Sequence, residues 1–260
     1  EKDYGFEMRK KIMHSHSGHS EVAWQELAEL GVLALPIPAE YEGFDGTAVD
    51  QMVVMQALGR AMVIEPVFAT LLGVEFLKRA KGHGHLLSQI GSGEVKLACA
   101  LNERQSRHEL HNINLSATHK GDGWELDGEK VNVLHASQAD FLIVSARSSG
   151  QARDTAGISL FVVPMDSEGL SVRESRSNDG MRVATVHFKH VRVTADCLLA
   201  NEAEGWDVLD ATADHGVSLL CSEALGVMEA LHAATLEYVR TRQQFGVPIG
   251  KFQVLQHRMA

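Results

Sequence analysis

The residues richest in chemistry lie near the end of the chain, in Tyr238-Val239-Arg240-Thr241-Arg242-Gln243-Gln244-Phe245-Gly246-Val247-Pro248-Ile249-Gly250-Lys251-Phe252-Gln253. As plain architecture this is a helix end: Gly246 caps it, Arg240 and Arg242 favour the negative helix terminus, and Pro248 prevents continuation. The same residues gather a guanidinium, an aromatic face and an amide around one chain reversal. Those parts suit a pyrophosphate, an adenine and a polar ring edge respectively.

Other candidate chemistry falls away on spacing. Gly82-His83-Gly84 and Gly91-Ser92-Gly93 begin like a dinucleotide fingerprint, but neither is followed by glycine three positions later, so a doubly wound nucleotide site is unsupported. Gly246 to Lys251 is one residue short of a phosphate loop, and Phe252 stands where magnesium would need Ser or Thr. His14, His16 and His19, and likewise His83 and His85, have no Cys or carboxylate set to complete a cage, so no metal is expected. His108 and His111 share either a helical turn or a polar loop, and no nucleophile has a neighbouring base. Cys99, Cys197 and Cys221 are far apart without a CxxC spacing, which suggests neither a disulfide framework nor a thiolate zinc site and fits a reducing compartment.

The elements that must position these groups can be read from composition and period. With 260 residues, 45% hydrophobic, 22% charged and five Pro, the chain can bury a sizeable core, and disorder is excluded. A formal charge of -10, from 24 Lys and Arg against 34 Asp and Glu, argues against nucleic acid or anionic membrane as partner. No apolar run approaches the roughly 18 residues of a membrane helix, since 61–74 is broken by Glu65 and Pro66. Both ends, Glu1 and the helix-like stretch closing at Ala260, read as cuts within a longer protein.

Trp24, Leu27 and Ala28 predict a helix over 20–31, with Ser20 as N-cap and Gly31 as C-cap. A Pro and Gly connection over 35–46 follows, then helices over 49–62 and 67–81, the latter stopped by Gly82. From about Val95 short strands take over. Asp127-Gly128 within Trp124 to Val131 predicts a hairpin, and strands are expected over 141–146, 158–164 and 185–193 without helical crossovers. That pattern predicts an antiparallel barrel or sandwich. After Gly205 a long apolar stripe predicts helix to about Tyr238. The expected class is α+β multidomain: an N-terminal helical domain (1–93), a middle antiparallel β-domain (94–200) and the start of a C-terminal helical bundle (201–260).

In this order the chain resembles the acyl-CoA dehydrogenase family along essentially its whole length. The pieces that carry the resemblance are Arg242-x-x-Phe245-Gly246-x-Pro248-Ile249 with Phe252-Gln253, the segment Leu27 to Gly46, Ala98-Cys99-Ala100-Leu101-Asn102-Glu103, Gly128-Glu129-Lys130 with Ala139-Asp140, and Phe188 to Val193 with Gly205-Trp206. The resemblance implies a noncovalent FAD between the β-domain and the C-terminal helices. It also implies α,β-dehydrogenation of an acyl-CoA thioester with FAD as hydride acceptor, and an electron-transfer flavoprotein as the onward acceptor. Leu101, Asn102, Asn132 and Leu134 would meet the flavin. Arg242, Phe245 and Gln253 would reach an FAD held mainly by a neighbouring subunit, in a homodimer, a tetramer or a pairing with a paralogous large subunit.

Several positions depart from the family pattern. Asn102 replaces Thr, Arg107-His108-Glu109 replaces Gly-Ser-Asp, Asn132 replaces Trp, Leu134 replaces Thr, His135-Ala136 replaces Asn-Gly, and Val217 replaces Arg. His108 and Val217 are therefore the substrate-side candidates. No catalytic residue is assigned: the family's Glu is expected beyond Ala260, and the alternative location near His215 and Gly216 holds no carboxylate. The combination is similar to small subunits of bacterial heteromeric acyl-CoA dehydrogenases. It leaves open a non-catalytic, FAD-sharing structural subunit, or a flavin-dependent monooxygenase on the same fold. A bacterial cytoplasm suits it, with the mitochondrial matrix as alternative.

Overall fold

The computed structural model describes residues 4–81 and 83–259. Two helices of the first ninety residues begin where a side chain satisfies free backbone N–H groups. After α1 (Phe6–His14), the Ser20 hydroxyl accepts from Ala23 N and starts α2 (Glu21–Glu29). Thr47 and Asp50 form a reciprocal capping box at the head of α3 (Ala48–Ala61). α4 (Val67–Ala80) is buried at nearly every residue from Val67 to Leu77 and ends with Lys81 in the left-handed region. Gly82, the expected stop, lies outside the described residues. The helical reading of 1–93 set no bounds for α1 or for α5 (Gly84–Gly91), in which Leu86, Leu87 and Ile90 form a buried face.

The middle of the chain forms β1 (Leu97–Ala100), β2 (Ser116–Lys120), β3 (Gly123–Leu134), β4 (Phe141–Arg147), β5 (Ile158–Pro164), β6 (Leu170–Arg176), β7 (Arg182–Thr194) and β8 (Leu198–Ala200). The sheet runs β6-β7-β3-β2-β4-β5-β8, with β1 also on β4. It is mixed: β1 and β2 pair with β4 in parallel, and the other neighbours are antiparallel.

The predicted Asp127-Gly128 hairpin is not a turn. β3 runs straight through it with a register shift, and the reversal falls instead at Gly121-Asp122, between Lys120 and its partner Gly123. β7 supplies a partner along most of β3, so the strand continues. Gly128, at φ 144°, serves close packing instead: a Cβ there would stand 2.8 Å from Leu115 Cα.

One core joins the sheet to α4 through residues such as Phe76, Leu77, Leu97, Ile143 and Phe161. A second, between helices, holds Trp24, Met55, Leu71 and Leu219, and Trp24 Nε1 donates to Gly93 O at 2.8 Å. Leu219 belongs to α6 (Gly205–Thr241), 37 residues long, which lies across α3. Glycines permit that crossing. A Cβ on Gly226 would stand 1.9 Å from Gln56 O, and one on Gly59 2.1 Å from Glu223 O. Contrary to the run-length reading, α6 is long and apolar enough to cross a membrane. In this fold it packs against α3 and α4 instead, and leaves Val217, Leu225, Met228 and Leu231 exposed. The chain then reverses through β9 (Gln243–Gln244) and β10 (Val247–Pro248) into α7 (Gln253–Met259). Phe245 and Gly246 both have positive φ, 52° and 78°, as a tight two-residue hairpin of right-handed twist requires.

Gly226→Ala should lower stability by about 1–3 kcal/mol through overpacking, measured as an earlier urea midpoint at unchanged slope.

Candidate functional site

β1 leaves the sheet through Leu101-Asn102-Glu103, and a buried charge pair holds that exit. Lys130 on β3 is 0% exposed and Glu103 4%. The Lys130 ammonium donates to Glu103 Oε1 at 2.8 Å, Ser145 Oγ at 3.0 Å and Leu101 O at 3.2 Å. Glu103 also accepts from Asn114 N at 2.8 Å, Leu115 N at 3.1 Å and Gln105 Nε2 at 2.7 Å. Burial alone would raise the Glu103 carboxyl pKa, but the Lys130 charge and these hydrogen bonds reverse it and hold it below the usual carboxylate range. Burial lowers the Lys130 pKa, with Glu103 opposing. All the ammonium protons and both carboxylate oxygens are thus engaged, which is what makes such a pair tolerable away from water.

Glu103 also forms part of the wall of an open groove of about 540 Å³, lined further by Asn102, Arg104, Arg107, His108, Val131, Asn132 and Thr185. Arg107 and Asn132 have φ of 51° and 53°, left-handed values uncommon for residues other than glycine. Arg104 is drawn to Glu129 at 2.5 Å. The lining is rich in amide and guanidinium donors, which suits a polar, anionic ligand.

A second cavity, about 180 Å³, lies where the end of β3 meets α3, α4 and α6. Its walls include Met55, Phe68, Leu134 and Leu220, together with His135 and Glu223. Burial, with a smaller push from Asp179, raises the Glu223 carboxyl pKa. Burial lowers His135, although its contact with Gln138 opposes this, and burial lowers His215, whose Nε2 lies 3.2 Å from Gln51 Oε1. Sequence reasoning missed Glu223. It falls seven residues beyond Gly216, two helical turns on, and continuing the face of α6 by that spacing would have found it.

The sequence-selected residues therefore fall into separate groups. Asn102, His108 and Asn132 share the groove, with Leu101 buried behind it. Leu134 lines the apolar cavity instead. Val217 is 58% exposed on α6 and lies outside both. Arg242, Phe245 and Gln253 stand together at the far end of α6. Phe245 is 92% exposed with its ring edge toward Phe252, and Ile249 N donates to Arg242 O at 2.8 Å to close the turn. His108 and His111 lie in turns rather than a helix, and His111 packs edge-on against Trp206. Among the described residues no three His, Cys, Asp or Glu gather to hold a metal.

Three family models match in chain order: the N-terminal domain of acyl-CoA dehydrogenase over residues 7–94, its middle domain over 98–191 and its C-terminal domain over 203–260. The chain is 28% identical to the probable acyl-CoA dehydrogenase YngJ of Bacillus subtilis, over 96% of this chain and 70% of that protein. Among solved structures, a Tcur3481-Tcur3483 steroid ACAD variant superposes with a TM-score of 0.86 at 26% identity, over 98% of this chain and 67% of that one. The FAD complex of PigA, at 21% identity, shares the fold with a TM-score of 0.86, over 99% and 71%. The chain spans between 58% and 70% of the length of the curated relatives it matches.

Glu103→Gln leaves the Lys130 ammonium buried without its counter-charge, and should cost about 3–5 kcal/mol at neutral pH. The native carboxyl pKa is depressed, so its stabilisation is fully present above the unfolded value of about 4.3 and is lost as pH falls through the lower folded value. The gap between wild type and variant in urea unfolding should accordingly narrow below about pH 4.

Proposed function

Because the chain belongs to the acyl-CoA dehydrogenase family, whose members bind FAD, we propose that it forms part of a flavoprotein that oxidises an acyl-CoA thioester between Cα and Cβ. The observation that carries this reading is the donor-lined groove at the exit of β1. Its chemistry fits the cofactor: the amides of Asn102 and Asn132 suit a polar ring edge, and Arg107 and His108 suit phosphate. Bound there, FAD supplies a two-electron acceptor. Leu101, Asn102 and Asn132 would hold its ring, with Leu134 beside it.

The cavity beside Leu134 has an apolar wall of Met55, Leu58, Val67, Phe68 and Leu220 that suits a short acyl group, with Glu65, His135, Asp179 and Glu223 at its polar side. The proton acceptor is assigned beyond Ala260, in a bundle that continues the division 1–93, 94–200 and 201–260. Arg242, Phe245 and Gln253 do not line this chain's own groove, and by the family resemblance they serve a cofactor bound mainly by another subunit, either a second copy or a paralogue. An electron-transfer flavoprotein takes the electrons onward. A bacterial cytoplasm suits the protein, as the match to a Bacillus subtilis relative supports, with the mitochondrial matrix as the alternative.

A second reading is a subunit that grips a partner's FAD without turning over substrate. It is favoured by α6 itself, where Gly216 provides no carboxylate and Val217 is exposed.

The full-length chain, alone and with any paralogous partner, should be purified and titrated with acyl-CoA thioesters without oxygen. Bleaching of the flavin band by the chain alone indicates a complete enzyme. Bleaching only with the partner indicates a shared site, and oxygen-dependent hydroxylation would indicate a monooxygenase. A colourless protein that refuses FAD in both states sinks the redox reading. Arg242→Ala should weaken FAD retention about tenfold or more, the value of a charged hydrogen bond, read by fluorescence titration; full occupancy in the variant counts against this role.

A further inference from the structure

The buried pair at the exit of β1 costs more than stability alone explains. Two ions removed from water are often no better than apolar residues of the same volume, and Lys130 spends one of its three protons on a main-chain carbonyl, Leu101 O. That carbonyl belongs to the peptide unit whose other end is Asn102 N–H. Among the described residues no peptide bond is cis, so the C=O and N–H of this unit point in opposite directions. With Leu101 O drawn inward to a fully buried ammonium, Asn102 N–H is turned outward, on the side where Asn102 lines the groove.

The next peptide unit is pinned as well. Asn102 O accepts from Val131 N at 2.8 Å, and Glu103 N donates to Ser106 Oγ at 2.9 Å. Among the described residues Asn102 N–H itself has no hydrogen-bond partner. The result is a main-chain donor fixed on both sides and unspent, on a residue that lines the groove.

We infer that Lys130, held by Glu103, is a positioning residue that fixes Asn102 N–H as a preset donor to a carbonyl oxygen at the ring edge of the bound cofactor. This rests on the reading of the groove as the FAD site. A fixed donor favours the form of the ring with more negative charge on its oxygens, which is the reduced one. It needs no reorganisation when that charge develops. Removing the grip on Leu101 O lets the peptide unit rotate and takes the donor off its aim, while Asn102 itself is kept.

The test uses the full-length FAD-loaded protein, with its partner if one is required, and compares Lys130→Met, the double variant Glu103→Gln with Lys130→Met, and Ser145→Ala. The double variant removes both buried charges together, so it should recover much of the stability that Lys130→Met loses. Its flavin should still favour reduction about tenfold less than wild type, a fall of about 30 mV in the two-electron midpoint potential. Ser145→Ala removes a different Lys130 acceptor and should leave the potential in place. Amide hydrogen exchange at Asn102 in the FAD-loaded protein should quicken in the double variant and not in Ser145→Ala.

A double variant with the wild-type potential and wild-type exchange overturns the positioning role while leaving the FAD site intact. A potential that falls equally in Ser145→Ala also overturns it, since the effect would then follow the buried cluster and not the Leu101 carbonyl. Failure of the wild type to take up FAD overturns both this inference and the reading beneath it.

Discussion

An ammonium sealed from water must find acceptors for all of its protons, and that demand organises the middle of this protein. Lys130 meets it with one group from each of three places: a side chain on the loop after β1, a hydroxyl on β4 and a main-chain oxygen at the end of β1. Its carboxylate partner binds two main-chain N–H groups just before β2. One ion pair thus ties together four stretches of chain that are distant in sequence. The groove beside it inherits its shape from that knot, since Asn102 lies between two residues that the pair holds directly.

The helical part depends on a different constraint, the close approach of two backbones. Gly59 and Gly226 let α3 and α6 cross almost without side chains between them, so Leu219 can reach the core built around Trp24 and Met55. The apolar cavity exists because this crossing holds α6 against the ends of α3 and α4. Glu223 lines that cavity because it shares the face of α6 on which the crossing occurs.

Much of this was legible in the sequence. Ser20 before an apolar period marked α2, Val67 onward marked α4, and the stripe after Gly205 marked most of α6, because capping and a 3.6-residue repeat are local properties. The failures were non-local. Asp127-Gly128 carries a turn signal, but pairing with β7 and packing on Leu115 override it. The parallel contacts of β4 could not be read at all, since strand order is decided by long-range burial. For the site, Asn102, His108 and Asn132 were chosen by resemblance and do share one groove. Lys130 and Glu103 were visible only as motif letters, because a sequence does not state which charges will be buried together. Glu223 lies two helical turns beyond Gly216, and its burial depends on how α6 packs against α3 and α4, which its own sequence does not state.

The length of α6 has a mechanical side. At about 1.5 Å per residue, the portion beyond the crossing at Gly226 extends about 22 Å before the Phe245 hairpin begins. Two glycine-tight contacts make that crossing a fulcrum and the portion beyond it a lever arm. A tilt of about one degree, too small to disturb the crossing, carries the tip about 0.4 Å. The Phe245 hairpin thus sits at the long end of the rod, where any movement of α6 at the crossing is largest.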